Sequence, residues 1–546
     1  MKDTTNYDVI VIGGGITGTG VARDCALRGF KVLLVERSDL TSGTTGRNHG
    51  LLHSGARYAV TDAESASECI VENRILRKIA RHCVEETEGL AITLPEDDLA
   101  FQEKFVASCN AVGINASVID PKEALRIEPS VNPALTGAVK VPDSSVDPFR
   151  LTVANAVDAQ CHGADILTYH EVTGFIKSQD RIAGLRLFDH QTKQEKNVYG
   201  DITVNAAGIW GHHIASMAGV TLNMFPAKGS LLIFGHRVNN TVINRCRKPA
   251  DADILVPGDT ISLIGTTSSH VGYDEIENLT VTPAEVELLL REGEKLAPIL
   301  AKTRILRAYA GVRPLVAADN DPSGRNISRG IVCLDHAKRD GLEGFITITG
   351  GKLMTYRMMA EKATDLVCEK LNRNVKCQTA ELCLPGSQQE EERKENSKTV
   401  HLPQKISYKA AQSRHGSLTD KIPAQNQYDN SLVCECEAVS AGEIQYAIEK
   451  LHGYNLDNLR RRTRVGMGTC QGELCACRAA GLLANAHKCS TKATADLADF
   501  LNERWKGAYP IAWDQTLRES LFTAWVYSGV CGLKTSSEKK NKEYEI

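Results

Sequence analysis

The sequence predicts an α/β protein built around a parallel sheet. The chain opens with an apolar strand, a glycine-rich turn, a helix and a second strand that ends in an acid. Short apolar runs then alternate with helical patterns through residue 385, the order that packs helices onto a parallel sheet. The 546 residues are 42% hydrophobic and 24% charged, which excludes wholesale disorder. At roughly 100–200 residues per domain, that length asks for more than one domain.

The first strand is Tyr7-Asp8-Val9-Ile10-Val11-Ile12. Gly13, Gly15 and Gly18 follow it as G-x-G-x-x-G. The first two permit a tight turn and close approach to a pyrophosphate, and the third lets helix and strand pack. Val21 to Arg28 reads as a helix stopped by Gly29. Its N-terminus offers free N–H groups to phosphate oxygens. Lys31 to Glu36 is the second strand, and Glu36, 18 residues after Gly18, stands where a carboxylate binds ribose hydroxyls. Residues 41–58 are too rich in Gly, Ser and Thr for another crossover helix. They offer backbone and hydroxyl donors to the middle and isoalloxazine end of a long cofactor. Ile202 to Asn205 is a strand ending in Ala206-Ala207-Gly208, a second place where backbone closes on the adenylate half.

Beyond residue 385 the composition changes. Residues 386–398 are polar and charged and read as the start of a surface linker that reaches residue 430. Residues 431–490 form a small helical module, and 491–546 a C-terminal segment with Trp505, Trp513 and Trp525, ending in a frayed basic tail, Lys539-Lys540-Asn541-Lys542. The tryptophans suit a subunit interface or packing onto the first domain. The module holds Cys434, Cys436, Cys470, Cys475 and Cys477. Ser440 to Glu443 reads as a capping box, starting a helix with Ile444, Ala447, Ile448 and Leu451 on one face. Two cysteine pairs brought together by a helical hairpin bind zinc or a [2Fe–2S] cluster. Zinc knuckles favour C-x-x-C, unlike C-x-C followed by C-x-x-x-x-C. Cys475 and Cys477 compete for the fourth position. The five-residue step from Cys470 leaves room for a loop containing Gly472, so Cys475 is the expected ligand. Arg460, Arg461, Arg462 and Arg464 read as a solvated basic face, with docking of an acidic partner as the alternative. The other twelve cysteines are expected to be reduced and buried as small hydrophobes.

The 64 Lys and Arg nearly balance the 67 Asp and Glu, and a formal charge of -3 leaves no general case for nucleic acid. The longest stretch free of acidic and basic side chains, around residues 202–227, contains Asn205, His212, His213, Asn223 and Pro226 and is no spanning helix. No signal peptide is expected at the N-terminus.

Gly13 to Gly18, His53-Ser54-Gly55-Ala56-Arg57-Tyr58, Val204 to Gly208, Lys228-Gly229-Ser230, Gly265-Thr266-Thr267, Gly311-Val312-Arg313-Pro314-Leu315 and Gly350 to Arg357 together resemble the FAD-dependent glycerol-3-phosphate dehydrogenases. The cysteine module behind them resembles the bacterioferritin-associated-ferredoxin-type domain, which holds [2Fe–2S], and the pair is similar to the anaerobic branch of that family. The resemblance implies a glutathione-reductase-type FAD-binding fold with an α+β substrate domain over residues 1–385. It also implies oxidation of sn-glycerol 3-phosphate to dihydroxyacetone phosphate. The implied partners, a membrane-anchoring iron–sulfur subunit with a second flavoprotein subunit, deliver electrons to the quinone pool at the cytoplasmic side of the inner membrane. An FMN in the complex is left without assignment to this chain or a partner.

Expected FAD contacts are Gly13, Gly14, Gly15, Thr17, Gly18, Glu36, Arg37, Thr45, Arg47, Asn48, Ala207, Gly208, Gly351, Lys352 and Leu353. Arg313 and Arg57 are expected to reach the substrate phosphate, since a guanidinium fork suits that anion; Arg357 shares their motif setting. Lys352 is expected beside the flavin ring, and His53 is the candidate proton acceptor. Cys434, Cys436, Cys470 and Cys475 are the expected cluster ligands. One departure stands out: the aerobic branch carries histidine after Lys-Gly-Ser, where this chain has Leu231. Competing readings are an FAD amine or amino-acid oxidase of the same fold, and a flavin-free scaffold, against which the intact glycines argue.

Overall fold

The computed structural model describes residues 6–316, 330–388 and 402–533. Most of the polar stretch at 389–398 and the basic tail at 539–542 lie outside the described residues.

The opening unit forms as its sequence dictates. Strand β1 (Asn6–Ile12) and strand β2 (Val32–Val35) run parallel, joined by helix α1 (Ile16–Leu27). Helix α1 starts at Gly15, which offers no side-chain cap, and Thr45 Oγ1 accepts from its Ile16 N–H at 3.1 Å. It ends where Gly29 takes φ +78, a left-handed turn that a residue without Cβ adopts at little cost. Gly13 has φ +113, and a Cβ there would stand 2.6 Å from the Ala206 carbonyl oxygen. A Cβ on Gly18 would fall 1.9 Å from the Gly13 oxygen, so the third glycine serves the close packing expected of it.

The sheet is mixed. The strands at 165–167, 32–35, 6–12, 194–205 and 345–350 are mutually parallel neighbours in that order. An antiparallel ladder of 170–178, 181–189 and 194–205 extends one edge, and 331–335 pairs antiparallel with 345–350. The predicted parallel sheet is thus its core. Helix α1 and the helices Pro148–Cys161 and Tyr356–Lys370 cover one face, over a core of Val9, Val11, Val32, Leu34, Val204 and Ile346. A second, nine-stranded and largely antiparallel sheet forms the other half of the first domain. Its long strands Met224–Phe234 and Ile305–Val316 pair antiparallel and carry Lys228 and Arg313.

The linker departs from expectation, because it contains a helix, Leu402–His415. Arg414 and His415 at its end are buried against Glu443 at 2.6 and 3.0 Å. That contact also corrects the capping box. Ser440 Oγ accepts from the Glu443 N–H at 3.2 Å, but the Glu443 carboxylate turns to Arg414 instead of closing back on residue 440. The helix it starts, Ala441–Lys450, buries Ile444 and Ala447 as its spacing predicts.

The basic run is not a solvated face. Arg462 and Arg461 donate to Asp39 at 2.6 and 2.8 Å, Arg464 pairs with Glu437 at 2.8 Å, and Arg150 meets Asp259 at 2.7 Å. The Asp39 pairs, a contact of Arg464 with Asp259 at 3.2 Å and a cluster joining Val153 to Val433, Ile444, Leu459 and Phe500 fasten the module to the first domain. All 17 cysteines are free thiols. Of the other twelve, only Cys25, Cys69, Cys83, Cys109, Cys246 and Cys368 are buried, and Cys161 and Cys531 are exposed. Trp505, Trp513 and Trp525 are 45%, 43% and 60% exposed, while their segment docks on the first domain through Ile511, Thr516 and Glu519. Among the described residues no helix is long and apolar enough to cross a membrane.

Candidate functional site: a dinucleotide cleft and a four-thiol ring

A cleft of about 390 Å³ runs from Glu36 and the Gly13–Thr17 turn to Lys352, His53 and Arg313. Of the expected cofactor residues, Gly13, Gly15, Thr17, Glu36, Arg37, Thr45, Arg47, Asn48, Ala207, Gly208, Gly351, Lys352 and Leu353 line it. Gly14 and Gly18 do not line the cleft; they shape it. The Gly14 N–H donates to Glu36 Oε2 at 2.6 Å, and the Ser38 N–H holds the other oxygen at 2.8 Å. Burial pushes the Glu36 carboxyl up from its ordinary value.

The segment 41–58 is held firmly over this cleft. Thr45 Oγ1 accepts from the Ile16 N–H at 3.1 Å, Thr44 Oγ1 donates to the Val312 carbonyl at 2.6 Å, and Tyr309 donates to the Asn48 carbonyl at 2.7 Å. Arg37 sits over the Trp210 ring at 4.6 Å and pairs with Glu277 at 2.7 Å, while Trp210 Nε1 also donates to Glu277 at 2.6 Å. Burial pushes the Glu277 carboxyl up, but Arg37 and Trp210 outweigh it and hold it below its ordinary value. Nothing in the sequence flagged Trp210 or Glu277, since both reach the cleft from distant segments.

At the far end the side chains differ in their freedom. Lys352 Nζ is buried, lies 4.9 Å from the centre of the Tyr58 ring and has no hydrogen-bond partner among the described residues. Gly350 and Gly351 precede it at φ +76 and +63; a Cβ on Gly351 would meet Met359 Sδ at 2.5 Å. His53 is 7% exposed, with the Tyr58 ring 5.5 Å away and the His49 ring 5.8 Å away. Arg313 lines the cleft and donates to the Lys228 carbonyl at 3.2 Å, the Thr267 carbonyl at 3.0 Å and Thr266 Oγ1. A Cβ on Gly229 would come within 2.6 Å of that guanidinium, so the glycine of Lys228-Gly229-Ser230 makes room for it. Lys228 and Ser230 both reach Glu285, at 2.7 and 2.8 Å. Leu231 is wholly buried and gives the cleft no polar atom.

Two arginines turn elsewhere. Arg57 reaches Asp253 at 3.4 Å and the Ala250 carbonyl at 2.9 Å, and does not line the cleft. Arg357 is buried against Glu72 at 2.6 Å and pairs with Glu361 at 2.7 Å. Both spacings are motif-like, but each residue has a carboxylate from a distant segment.

The cleft fits a dinucleotide. Glycines at 13 and 15 beside the α1 N-terminus suit a pyrophosphate, and a buried ammonium at Lys352, without a hydrogen-bond partner among the described residues, suits an anionic group.

In the module, four thiols form a ring: Cys434 hydrogen-bonds Cys436 and Cys475, and Cys470 hydrogen-bonds the same two. The N–H groups of Gly466 and Glu437 point at Cys434, and that of Cys470 at Cys436. Gly472 at φ +94 turns the chain between Cys470 and the helix Cys475–His487. Cys475 is buried inside the ring, whereas Cys477 is exposed. Four thiols in a ring, with N–H donors to sulfur, fit the thiolate set of a two-iron cluster.

Comparison with known proteins agrees with both sites. The family described as "FAD dependent oxidoreductase" matches residues 8–357, and "BFD-like [2Fe-2S] binding domain" matches 432–485. The chain is 64% identical over 543 residues to the A subunit of the anaerobic glycerol-3-phosphate dehydrogenase of Escherichia coli (strain K12), covering 99% of each. It is 45% identical to the A1 subunit of the same enzyme from Haloferax volcanii, over 94% of this chain and 88% of that one. The solved glycerol-3-phosphate dehydrogenase of Bacillus halodurans, complexed with FAD, superposes with a TM-score of 0.68 at 22% identity, over 94% of this chain and 97% of that one. At that identity the likeness speaks for the fold. The chain belongs to the FAD-dependent oxidoreductase family, in the branch of the anaerobic glycerol-3-phosphate dehydrogenase A subunits.

Proposed function

We propose that this chain oxidises sn-glycerol 3-phosphate to dihydroxyacetone phosphate and passes the electrons outward through its iron–sulfur module. The observation that carries the reading is the union, in one chain, of a dinucleotide cleft ending at an unpartnered buried lysine with a four-thiol ring. Bound FAD supplies a two-electron acceptor for the hydride on the substrate carbon. A [2Fe–2S] cluster on Cys434, Cys436, Cys470 and Cys475 supplies single-electron transfer.

The chain's own residues do the rest. Gly13, Gly15, Thr17, Glu36 and the donors of 44–48 hold the cofactor. Lys352 brings positive charge to the reacting end, where negative charge develops. Arg313, fixed by carbonyls of the strand beside it, offers its guanidinium edge to the substrate phosphate. His53, among aromatic rings at the same end, takes the hydroxyl proton. The amino-acid oxidase reading gives way, because the relatives that match the full chain are glycerol-3-phosphate dehydrogenase subunits.

The complex contains two further components, a second flavoprotein subunit plus a membrane-anchoring iron–sulfur subunit, with an FMN in the assembly. It feeds the quinone pool from the cytoplasmic side of the inner membrane. The exposed Trp505, Trp513, Phe522 and Trp525 support a partner contact, since aromatic side chains are enriched at interfaces. The visible spectrum of the purified chain tests the core of the proposal. Flavin bands should bleach with glycerol 3-phosphate and not with amino acids; bleaching by amino acids alone would sink it.

A further inference from the structure

Two short segments hold the guanidinium of Arg313. It donates to the carbonyls of Ala227 at 3.5 Å, Lys228 at 3.2 Å and Thr267 at 3.0 Å, and to Thr266 Oγ1. Residues 227 and 228 lie in the strand Met224–Phe234, and 266 and 267 just beyond the strand Ile261–Gly265. The direction of the fork therefore depends on how those two segments are spaced.

One carboxylate grips both of them. Side chains alternate along a strand, so Gly229 faces the guanidinium while Lys228 and Ser230 point to the other side. There they meet Glu285, in the first turn of the helix Pro283–Leu296. Its Oε1 accepts from Ser230 Oγ at 2.8 Å and Thr267 Oγ1 at 3.3 Å, and its Oε2 from Lys228 Nζ at 2.7 Å. The Thr282 N–H donates to Oε2 at 2.9 Å and the Glu285 N–H to Thr282 Oγ1 at 3.3 Å, a closed capping box that fixes the carboxylate on its own helix. Burial pushes the Glu285 carboxyl up, but Lys228, the Thr282 N–H and Ser230 outweigh it and hold it below its ordinary value. Lys228, Ser230 and Thr267 are buried, and neither they nor Glu285 line the cleft. Without the carboxylate the Lys228 ammonium is left buried and unpaired, and Thr267 loses one of its ties to the strand. The oxygens at 228 and 267 are then no longer held at one separation.

We propose that Glu285 is a positioning residue for the substrate phosphate, acting through Lys228, Ser230 and Thr267 on the guanidinium of Arg313. The inference rests on the role given to Arg313 in the proposed function.

The test is steady-state kinetics with glycerol 3-phosphate on the full chain carrying FAD and cluster. Glu285→Ala should raise KM about 2–10-fold, the worth of one neutral hydrogen bond lost from the guanidinium's hold, with kcat within about two-fold. Glu285→Gln keeps an acceptor for Ser230 and Thr267 but not the charge for Lys228, and should fall between. Flavin content and the cluster spectrum should match the unaltered chain; if Glu285→Ala loses flavin, the glutamine variant carries the test. A residue that acts through Arg313 adds nothing once Arg313 is gone. The double variant Glu285→Ala, Arg313→Ala should therefore match Arg313→Ala in KM within about two-fold. Unchanged KM in both Glu285 variants, a fall in kcat alone, or full multiplication of the two effects in the double variant overturns the inference. Arg313→Ala by itself separates the two readings. An unchanged KM there removes the phosphate contact of the proposed function, whereas a raised KM beside unaffected Glu285 variants defeats only the positioning role.

Discussion

Replacing Asp39 with asparagine should release the iron–sulfur module from the flavin domain. Asp39 accepts from Arg462 Nη2 at 2.6 Å and Nη1 at 3.1 Å, and from Arg461 Nη1 at 2.8 Å. The Arg462 and Asp39 side chains are 0% and 2% exposed. Removing one partner of such a pair leaves the other charge buried and uncompensated, at a cost of about 3–5 kcal/mol. That raises the population of the detached state about 10²–10⁴-fold. Hydrogen exchange of the helix Leu456–Thr463 reads this opening, with strand Val32–Val35 as an internal control. The double variant Asp39→Asn, Arg462→Met should recover part of the loss, because neither charge is then stranded. Burial pushes the Asp39 carboxyl up, yet the two arginines outweigh it and hold it below its ordinary value. The pair's stabilisation is therefore complete above the ordinary carboxylate range and fades as pH falls beneath it. Helix exchange in Asp39→Asn within a few-fold of the unaltered chain, or equal acceleration in the control strand, would refute the reasoning.

Three further outcomes follow from the geometry. Cys475→Ser should abolish or badly weaken the [2Fe–2S] paramagnetic signal while FAD remains, and Cys477→Ser should leave it nearly intact; the reverse pattern would overturn the thiol ring as the ligand set. Arg313→Ala should raise KM for glycerol 3-phosphate about 10–150-fold at full flavin content, and steady-state kinetics showing no change would remove Arg313 from the substrate site. Burial pushes the Glu443 carboxyl up, but Arg414 and His415 outweigh it and hold it at about 2, against an ordinary 4.5. That contribution is present above about pH 4.5 and lost as pH falls towards 2, so Glu443→Gln should flatten the acid limb of module unfolding followed by circular dichroism.

Some of this protein was legible before any coordinates. The strand–turn–helix–strand unit is local: Gly13, Gly15 and Gly18 act on neighbours within a few residues, and the period of Val9, Ile10, Val11 and Ile12 reports burial directly. Which thiols gather in the ring was legible for the same reason, since the turn at Gly472 and the helix behind it bury Cys475 and leave Cys477 exposed. The arginines were not. A guanidinium side chain is long, and its role depends on which carboxylate, carbonyl or cavity the fold brings to it from elsewhere. Arg57 and Arg357 met Asp253 and Glu72, Arg462 met Asp39 across 423 residues, and Arg313 met a strand 85 residues away. Arg307, unremarkable in sequence, and Arg460, read there as part of a solvated face, came to line one cavity. Composition and spacing determined which groups the chain owns and how its local elements form. Only tertiary packing decided which charges were neutralised, because Coulomb energy in a desolvated interior depends on distances between segments that sequence separation does not encode.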